Sequence, residues 1–380
     1  MKTPVYLDYN ATTPVAPEVA DAIDPYLREH FGNPSSSHAY GRRAREAVDR
    51  AREQVAALIG GTPGEIVLTG CATEANNLAI LGVTRALRTA RRHVVTSAVE
   101  HPAVLQPCLR LREDGWEVTI VAVDQDGRVD PQAVAHALRD DTALVSIMLA
   151  NNEVGTIQPV AEIAALARSR GAVVHTDAAQ AAGKIPVDVA ALGVDLLTLA
   201  GHKFYATKGV GALYVRAGTP LAPVLVGAEH ERHLRPGTEN VPAIVGLGEA
   251  ARLARERLPH AAVHLRKLRD SLHALLAASV PRLELNGHPD HRLPNTLNVS
   301  FPRASGRALL ESAEGDVAAS LGAACHAESD SVSGVLAAMG IGYERASGAV
   351  RISTGMPTTE DEVRHAARAL VDAWRTVRRT

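Results

Sequence analysis

Short β-branched and aliphatic runs alternate with longer stretches in which apolar residues recur at helical spacing. The runs predict seven strands, at Ile66–Leu68, His93–Thr96, Val118–Val123, Ala143–Met148, Val173–Thr176, Asp195–Leu199 and Val210–Val215. The stretches between them predict helices, among them Thr73–Leu81, Ala103–Arg112 and Val160–Ser169. Strands that alternate with helices favour a mainly parallel sheet with helices on both faces, so we expect an α/β protein.

The last third of the chain predicts a second, smaller unit. Ala250–Ala278 has the pattern of a long amphipathic helix, and Pro259 should kink or divide it, so we expect a domain boundary near residues 255–260. The segment before Pro14 has no obvious sheet partner and could pack on either unit. An α+β unit is predicted from strands at Thr296–Phe301 and Val350–Ser353 and helices at Arg307–Glu311 and Glu360–Arg378.

Composition and charge narrow the class of protein. The 380 residues are 46% hydrophobic and 22% charged, as in ordinary soluble domains. A formal net charge of -2 argues against a nucleic-acid binder, which needs a basic excess. We find no apolar run of about 18 residues for a membrane span and no secretory segment near the start, so we expect a cytoplasmic protein. Cys71, Cys108 and Cys325 show no C-x-x-C spacing, which argues against a disulfide scaffold or a metal–thiolate site.

Common nucleotide and metal motifs are absent. Gly183-Lys184 lacks the upstream glycine and the following Ser or Thr of a phosphate-binding loop, and no G-x-G-x-x-G follows a strand. The run from His230 to His233, HERH, is one residue shorter than H-E-x-x-H and has no helical pattern around it. We therefore expect no metal site.

Polar residues follow four predicted strands, where the carboxyl ends of a parallel sheet gather ligands. Thr73, after small residues at a helix start, could contact an anion or belong to an ordinary helix cap. His101 could be a core histidine or lie flat on an aromatic ring. Asp177 should be buried and needs a cationic partner. Lys203 could be a surface lysine or form a Schiff base with an aldehyde. Together, an anion site, an acid and a lysine indicate pyridoxal phosphate.

Eight motifs occur in an order and at intervals that resemble one family. They are LDYNATTP (7–14), FGNPSS (31–36), CATEANN (71–77), ANNEVG (150–155), HTDAAQ (175–180), GHKFYATKGVGALYVR (201–216), RPGTEN (235–240) and GAACH (322–326). The chain is similar to the pyridoxal-phosphate-dependent cysteine desulfurases and selenocysteine lyases of the class V aminotransferase group. The resemblance covers essentially the whole chain.

The resemblance implies a fold-type I homodimer with a large domain at residues 15–256 and a small domain made of residues 1–14 and 257–380. It implies that L-cysteine, or L-selenocysteine, is converted to L-alanine and that the sulfur passes to an acceptor protein. Its implied site residues are Lys203 (bound to the cofactor aldehyde), Asp177 (ring nitrogen), Gln180 (ring hydroxyl), His101 (ring stacking and proton movement), Thr73 and His202 (phosphate), Thr238 (phosphate of the other subunit), Asn152 and Arg351 (substrate) and Cys325 (sulfur-accepting nucleophile).

Some positions depart from the family pattern. Ala200 stands where many members have a serine that contacts the phosphate, so we expect weaker cofactor binding. Cys71 replaces a common glycine and adds a thiol near the cofactor, while Cys108 fits a helix core. Cys325 lies in a small-residue segment, 320–334, whose composition predicts a mobile loop, although an arbitrary cysteine is more often a buried apolar residue.

Three alternatives remain beside the cysteine desulfurase. A selenocysteine lyase could use the same site, because a selenol leaves more readily than a thiol. Another class V reaction, such as transamination, would not need Cys325. A non-catalytic sulfur-relay partner could keep the fold without the chemistry, although Lys203 and Asp177 argue against it. The sulfur acceptor itself, for iron–sulfur clusters or for thio-cofactors and thionucleosides, is not indicated by the sequence.

Overall fold

The structure is a computed structural model that describes residues 3–322 and 333–378. Cys325 therefore lies outside the described residues. Within those ranges, no helix is long and apolar enough to cross a membrane.

A seven-stranded sheet forms the centre of the large unit. Its strand order is β2-β8-β7-β6-β5-β3-β4, and β8 is the only one of these described strands that runs in the direction opposite to the others. The strands are β2 (Ile66–Thr69), β3 (His93–Ser97), β4 (Glu117–Val121), β5 (Thr142–Ser146), β6 (Val173–Asp177), β7 (Leu196–Ala200) and β8 (Gly211–Val215). Each ends within two residues of its predicted position, which confirms the α/β class.

Helices cover both faces of this sheet. They are α1 (Pro17–Arg28), α2 (Ala39–Leu58), α3 (Ala72–Leu87), α4 (Pro102–Glu113), α5 (Pro131–Ala137), α6 (Val160–Ser169), α7 (Val189–Leu192) and α8 (Val241–Ser279). Successive strand residues point to opposite faces, so Val145 packs in the core with α1, α2 and α6, whereas Leu144 packs with α3 and α4. Because side chains on both faces of the sheet are packed against helices, a ligand can reach the sheet at the ends of its strands.

The smaller unit contains an antiparallel sheet of order β12-β10-β9 and a parallel pair, β1 with β11. Its elements are β1 (Val5–Tyr6), β9 (Glu284–Asn286), β10 (Thr296–Ser300), α9 (Gly306–Ser312), β11 (Val317–Ala318), α10 (Gly334–Ala338), α11 (Tyr343–Ser347), β12 (Ala349–Ser353) and α12 (Glu360–Val377). The N-terminal segment thus has sheet partners that the sequence did not show, because its two-residue strand is too short to give a pattern.

Of the two expected effects of Pro259 on the long helix, a kink or a division, the division is wrong. Helix α8 runs unbroken from Val241 to Ser279 through Pro259. Proline removes one N–H donor, and a 39-residue helix tolerates that loss when most of its bonds remain and its apolar face is packed. Leu247 in the first half lies in the core of the large unit, and Leu272 in the second half lies in the core of the small unit. The helix therefore spans both cores, and the boundary at residue 256 stays a prediction.

Candidate active site

A cavity of about 300 Å³ opens at the carboxyl edge of the large sheet. Loops that follow β2, β3, β5, β6 and β7 reach it, and strand β12 of the small unit closes one side. Eight of the predicted site residues line this cavity, which are Thr73, His101, Asn152, Asp177, Gln180, His202, Lys203 and Arg351. The strand-end argument had proposed four of them, Thr73, His101, Asp177 and Lys203, and the resemblance implied the other four.

Asp177 is the last residue of β6 and is 6% exposed. One carboxylate oxygen accepts the Asn76 side-chain N–H at 2.7 Å, and the other accepts the Ala179 backbone N–H at 2.9 Å. The Oδ1 atom of Asn76 is buried in this wall and has no hydrogen-bond partner among the described residues. A carboxylate and an unpaired amide oxygen together present acceptors to a ligand that donates a hydrogen bond.

Lys203 belongs to the short turn at Gly201–Lys203 that follows β7. Its Nζ atom donates to the carbonyl oxygens of Asn10 and Ala11, at 2.6 and 2.9 Å. These carbonyls belong to the N-terminal segment, so this distant part of the chain contributes to the amine's position. The turn places a nucleophilic amine in the cavity wall that also contains Asp177.

His101 caps helix α4, and its Nδ1 accepts the backbone N–H of Ala103 at 3.1 Å. A neutral ring held this way carries its proton on Nε2. Burial, with a smaller contribution from the Lys203 charge, lowers the pKa of His101, although Asp177 opposes this change. We therefore expect an uncharged imidazole that can take up a proton.

His202 lies in the same wall, with Nδ1 at 3.2 Å from the hydroxyl of Thr12. Burial and the nearby charge of Lys203 lower the pKa of His202 to about 4. Before a phosphate binds, His202 is therefore a neutral hydrogen-bonding group, and a positive electrostatic contribution is needed from other groups as well.

The N-terminus of α3 supplies such a contribution. Cys71 caps this 16-residue helix, with its sulfur accepting the Glu74 N–H at 3.4 Å. Ala72 and Thr73 follow in the first turn and line the cavity, where N–H groups lack acceptors within the helix. The sequence left two alternatives for this helix start, an ordinary cap and an anion site. The two are compatible, because Cys71 caps the helix while Thr73 lines the cavity. Ala200 lies in this cavity too and offers only a methyl group.

Arg351 reaches the cavity from β12 and is 2% exposed. It donates to the Asp8 carboxylate at 2.7 Å and to the Asn152 carbonyl at 3.1 Å. Its Nε atom is buried without a partner among the described residues. A guanidinium with an open donor is suited to a substrate carboxylate.

Of the predicted site residues that the structure describes, one does not line the cavity. Thr238 is exposed and does not line it in the single chain. Cys325 lies outside the described residues. The segment that carries it starts after Gly322 and ends before Ser333, and both of these residues lie against Glu153, next to cavity-lining Asn152.

Sequence reasoning missed Asn10, Asn76 and Lys184. Asn10 is 1% exposed and joins the N-terminal segment to Thr296, Asn295 and the Lys203 amine. Asn10 lies in the motif LDYNATTP and Asn76 in the motif CATEANN, and this position within a family motif was the sequence signal for both residues. The spacing of Lys184 four residues after Gln180 was the only signal for that lysine.

These residues fit pyridoxal phosphate. Lys203 would bind its aldehyde, Asp177 its ring nitrogen, Gln180 its hydroxyl, and the N-terminus of α3 with Thr73 its phosphate. The unpaired Oδ1 of Asn76 and Nε of Arg351 show that the cavity contains polar atoms still requiring a ligand. His101 remains available to cover the ring.

Comparison with known proteins identifies the family of the chain. The chain matches the family description Aminotransferase class-V over residues 5–365. It is 45% identical to the cysteine desulfurase IscS of Dictyoglomus turgidum, over 96% of this chain and 93% of that protein. It is 47% identical to the cysteine desulfurase IscS of Anaeromyxobacter dehalogenans, over 100% and 94%. A solved NifS-like protein superposes with a TM-score of 0.93 at 38% identity, covering 99% of this chain and 100% of that one.

The chain therefore belongs to the class V aminotransferase family, with a fold-type I architecture and pyridoxal phosphate as its cofactor. Within that family it is similar to the cysteine desulfurases. The relatives do not favour a selenocysteine lyase.

Proposed function

We propose that this protein is a cysteine desulfurase that converts L-cysteine to L-alanine and retains the sulfur as a persulfide on Cys325. One observation carries the proposal. An amine (Lys203), a buried carboxylate (Asp177) and a guanidinium with an open donor (Arg351) surround one cavity. An amino acid bound in this cavity would have its amine close to Lys203 and the cofactor aldehyde, and its carboxylate close to Arg351.

Pyridoxal phosphate supplies an aldehyde that binds the substrate amine and a ring that withdraws electrons from the bound carbon. Asp177 favours the protonated ring nitrogen, because its carboxylate is buried with only amide donors around it. Arg351 orients the substrate through its carboxylate, and Asn152 contacts the same substrate from the adjacent loop.

Lys203 moves the proton on the substrate carbon. The Asn10 and Ala11 carbonyls hold its Nζ atom at the cavity wall, so the amine stays within the site after the substrate replaces it on the cofactor. His101 is the second proton carrier, because its neutral ring is fixed by the Ala103 N–H and retains a proton on Nε2.

Cys325 accepts the sulfur. Its thiolate attacks the substrate sulfur, a sulfur–sulfur bond forms, and the carbon–sulfur bond breaks. The electron pair stays with the carbon fragment, which takes up a proton and leaves as alanine. The assignment of this role to Cys325 rests on the resemblance, because this residue lies outside the described residues.

We infer that the active protein is a homodimer. Thr238 lies outside the cavity of its own chain, and its segment is joined to α3 by the ion pair of Arg235 with Glu74 at 2.7 Å. Exposed apolar side chains lie on this segment and on the segment near residue 31, and these side chains are Phe31, Tyr40, Leu225 and Val226. The two segments are in contact, because the Ser35 hydroxyl lies 3.4 Å from His230 Nε2. A second copy would cover them and bring Thr238 to the neighbouring cavity.

We propose a cytoplasmic location, where thiols remain reduced, because a persulfide must form and be released there. Another protein then takes the sulfur, for iron–sulfur cluster assembly or for a thio-cofactor or thionucleoside. Turnover needs only a thiol or protein that removes the outer sulfur from Cys325.

The test is alanine release from L-cysteine and from L-selenocysteine at matched cofactor occupancy. Cys325→Ala should lower cysteine turnover at least ~1,000-fold, as loss of a nucleophile does in other covalent catalysts. Cys108→Ala is the matched control, because Cys108 is buried in the α4 core. Cysteine turnover that persists without Cys325, or turnover of selenocysteine alone, would replace this proposal by a lyase or another class V reaction.

A further inference from the structure

Lys184 is a buried lysine without an acidic partner among the described residues. It is 6% exposed, and its Nζ atom donates to the side-chain oxygens of Gln180 at 2.8 Å and Asn10 at 3.2 Å. Both acceptors are neutral amides. An ammonium group placed there loses its hydration without gaining a counterion, and a methionine of similar length would avoid that cost. Stability alone therefore does not explain a lysine at this position.

The contacts of Lys184 fix the orientation of the Gln180 amide. A lysine amine at this place acts as a donor, so the amide must turn its oxygen towards Lys184 and its NH₂ group away. The NH₂ group donates one N–H to the backbone oxygen of Asn10 at 3.0 Å. The second N–H of that group is then available on the cavity side, where Gln180 is part of the wall.

The same lysine also fixes the acceptor of the catalytic amine. The backbone oxygen of Asn10 receives the Gln180 N–H and the Lys203 Nζ, at 3.0 and 2.6 Å. Lys184 holds the Asn10 side chain through its oxygen, and Asn295 donates to that oxygen as well at 3.0 Å. Movement of Lys184 would therefore reach both Gln180 and Lys203.

We propose that Lys184 is a positioning residue of the cofactor site, which keeps an N–H of Gln180 directed at the ring hydroxyl and the Asn10 carbonyl at the Lys203 amine. The inference rests on the proposed role of Gln180. Burial, with the charges of Lys203 and Arg351 nearby, lowers the pKa of Lys184 well below its usual value. The lowered pKa reduces the cost of burying this side chain, and the Nζ atom donates to both of its acceptors in this arrangement.

The test compares Lys184→Met with the native protein in the dissociation constant of pyridoxal phosphate, in the visible absorption band of the bound cofactor, and in Tm. We expect cofactor binding about tenfold weaker and a displaced band, since one hydrogen bond to the cofactor is lost. We expect an equal or higher Tm, because the buried amine is gone. Lys208→Met is the control, because Lys208 is exposed in the same unit.

A double-mutant cycle identifies the route of the effect. If Lys184 acts through Gln180, Lys184→Met should change the dissociation constant less than twofold in a Gln180→Ala background. Full additivity of the two changes would overturn the proposal. So would a Lys184→Met protein with a lower Tm but an unchanged band and dissociation constant, because that result defines a structural role.

A second variant covers poor folding of Lys184→Met. Lys184→Gln retains an N–H donor on a shorter side chain and should restore at least part of the native band. All these readouts use the cofactor without cysteine, so a failure of desulfuration leaves them unaffected. If the native chain did not bind pyridoxal phosphate, the proposed function would be wrong, and the inference on Lys184 would be wrong with it. If the native chain binds the cofactor and Lys184→Met binds it equally well, only the inference on Lys184 would be wrong.

Discussion

Burial is the main cause of the shifted pKa values of single residues at this site. Glu100 precedes His101 and is buried, and it accepts N–H and O–H groups from Met148 and Ser97. Burial, with a smaller contribution from the Asp177 charge, raises the pKa of Glu100 to about 8. Glu100 is therefore largely a neutral acid at pH 7, adjacent in sequence to a histidine whose pKa is lowered.

The Glu100 carboxyl should make stability fall as pH rises. The unfolded chain loses this proton near 4.5, whereas the folded chain keeps it to about 8, so the folded state binds more protons in that window. The two values correspond to at most ~5 kcal/mol. We expect the free energy of unfolding of the cofactor-free native protein to fall between pH 5 and 8 relative to Glu100→Gln, measured by urea denaturation.

Glu113→Gln is the control for that measurement, because the Glu113 side chain is 66% exposed. The other titratable groups remain in all three proteins, so their contributions cancel in the differences. Parallel pH profiles for the native protein and Glu100→Gln would show that Glu100 ionises as an ordinary acid.

Residue types at strand ends could be predicted from the sequence, whereas the network behind them could not. Asp177 and Lys203 follow apolar runs, and a parallel sheet brings such positions to one edge. Lys184 and Asn10 are 174 residues apart along the chain, and their contact depends on how the N-terminal segment packs. No local pattern contains that information. Thr238 is a further case, because its predicted role depends on a second chain.

At the scale of elements, strands were easier to predict than helix ends. Buried strands such as Thr142–Ser146 contain a continuous apolar run bounded by polar residues, and this pattern places the strand to within two residues. The long helix α8 was misjudged because a proline inside a helix is costly in isolation, whereas packing against α1, α2 and α12 compensates for it here. Pro259 itself is exposed, so its ring has room.

Replacement of Pro259 should therefore stabilise the protein. Pro259→Ala restores a backbone N–H donor inside α8, and we expect the free energy of unfolding to rise by about 1–2 kcal/mol, after the greater freedom of the unfolded chain is subtracted. Chemical denaturation of the cofactor-free protein measures it.

Pro242 provides the matched control in the same helix. It stands in the first turn of α8, where the N–H would have no acceptor within the helix, so Pro242→Ala should change stability by less than ~0.5 kcal/mol or lower it. Equal effects of the two substitutions would mean that the interior proline is not a cost in this helix.

At the scale of the whole molecule, the cavity is assembled from distant parts of the chain. The N-terminal segment provides Asn10, the large sheet provides Asp177 and Lys203, and the small unit provides Arg351. The Arg351 ion pair with Asp8 and the Asn10 hydrogen bond to Thr296 connect these parts. A site built this way needs both units in place, and in our proposal it also needs Thr238 of a second chain.

Mixed dimers test that last requirement. Lys203→Ala should abolish turnover, and Thr238→Ala should weaken cofactor binding about tenfold, because one hydrogen bond to the phosphate is lost. A mixed dimer combines one subunit that carries Lys203→Ala with one subunit that carries Thr238→Ala. If Thr238 acts across the interface, the mixed dimer contains one fully native site, formed by Lys203 of the Thr238→Ala subunit and Thr238 of the Lys203→Ala subunit.

The measurement is alanine release by differently tagged, purified mixed dimers at a cofactor concentration that leaves the Thr238→Ala homodimer mostly unloaded. We expect about half the turnover of the native dimer. If Thr238 instead serves its own chain, every Lys203-containing site also lacks Thr238, and the mixed dimer can show no more than half the low turnover of the Thr238→Ala homodimer. That result, or a protein that remains monomeric at full activity, would place the whole site within one chain.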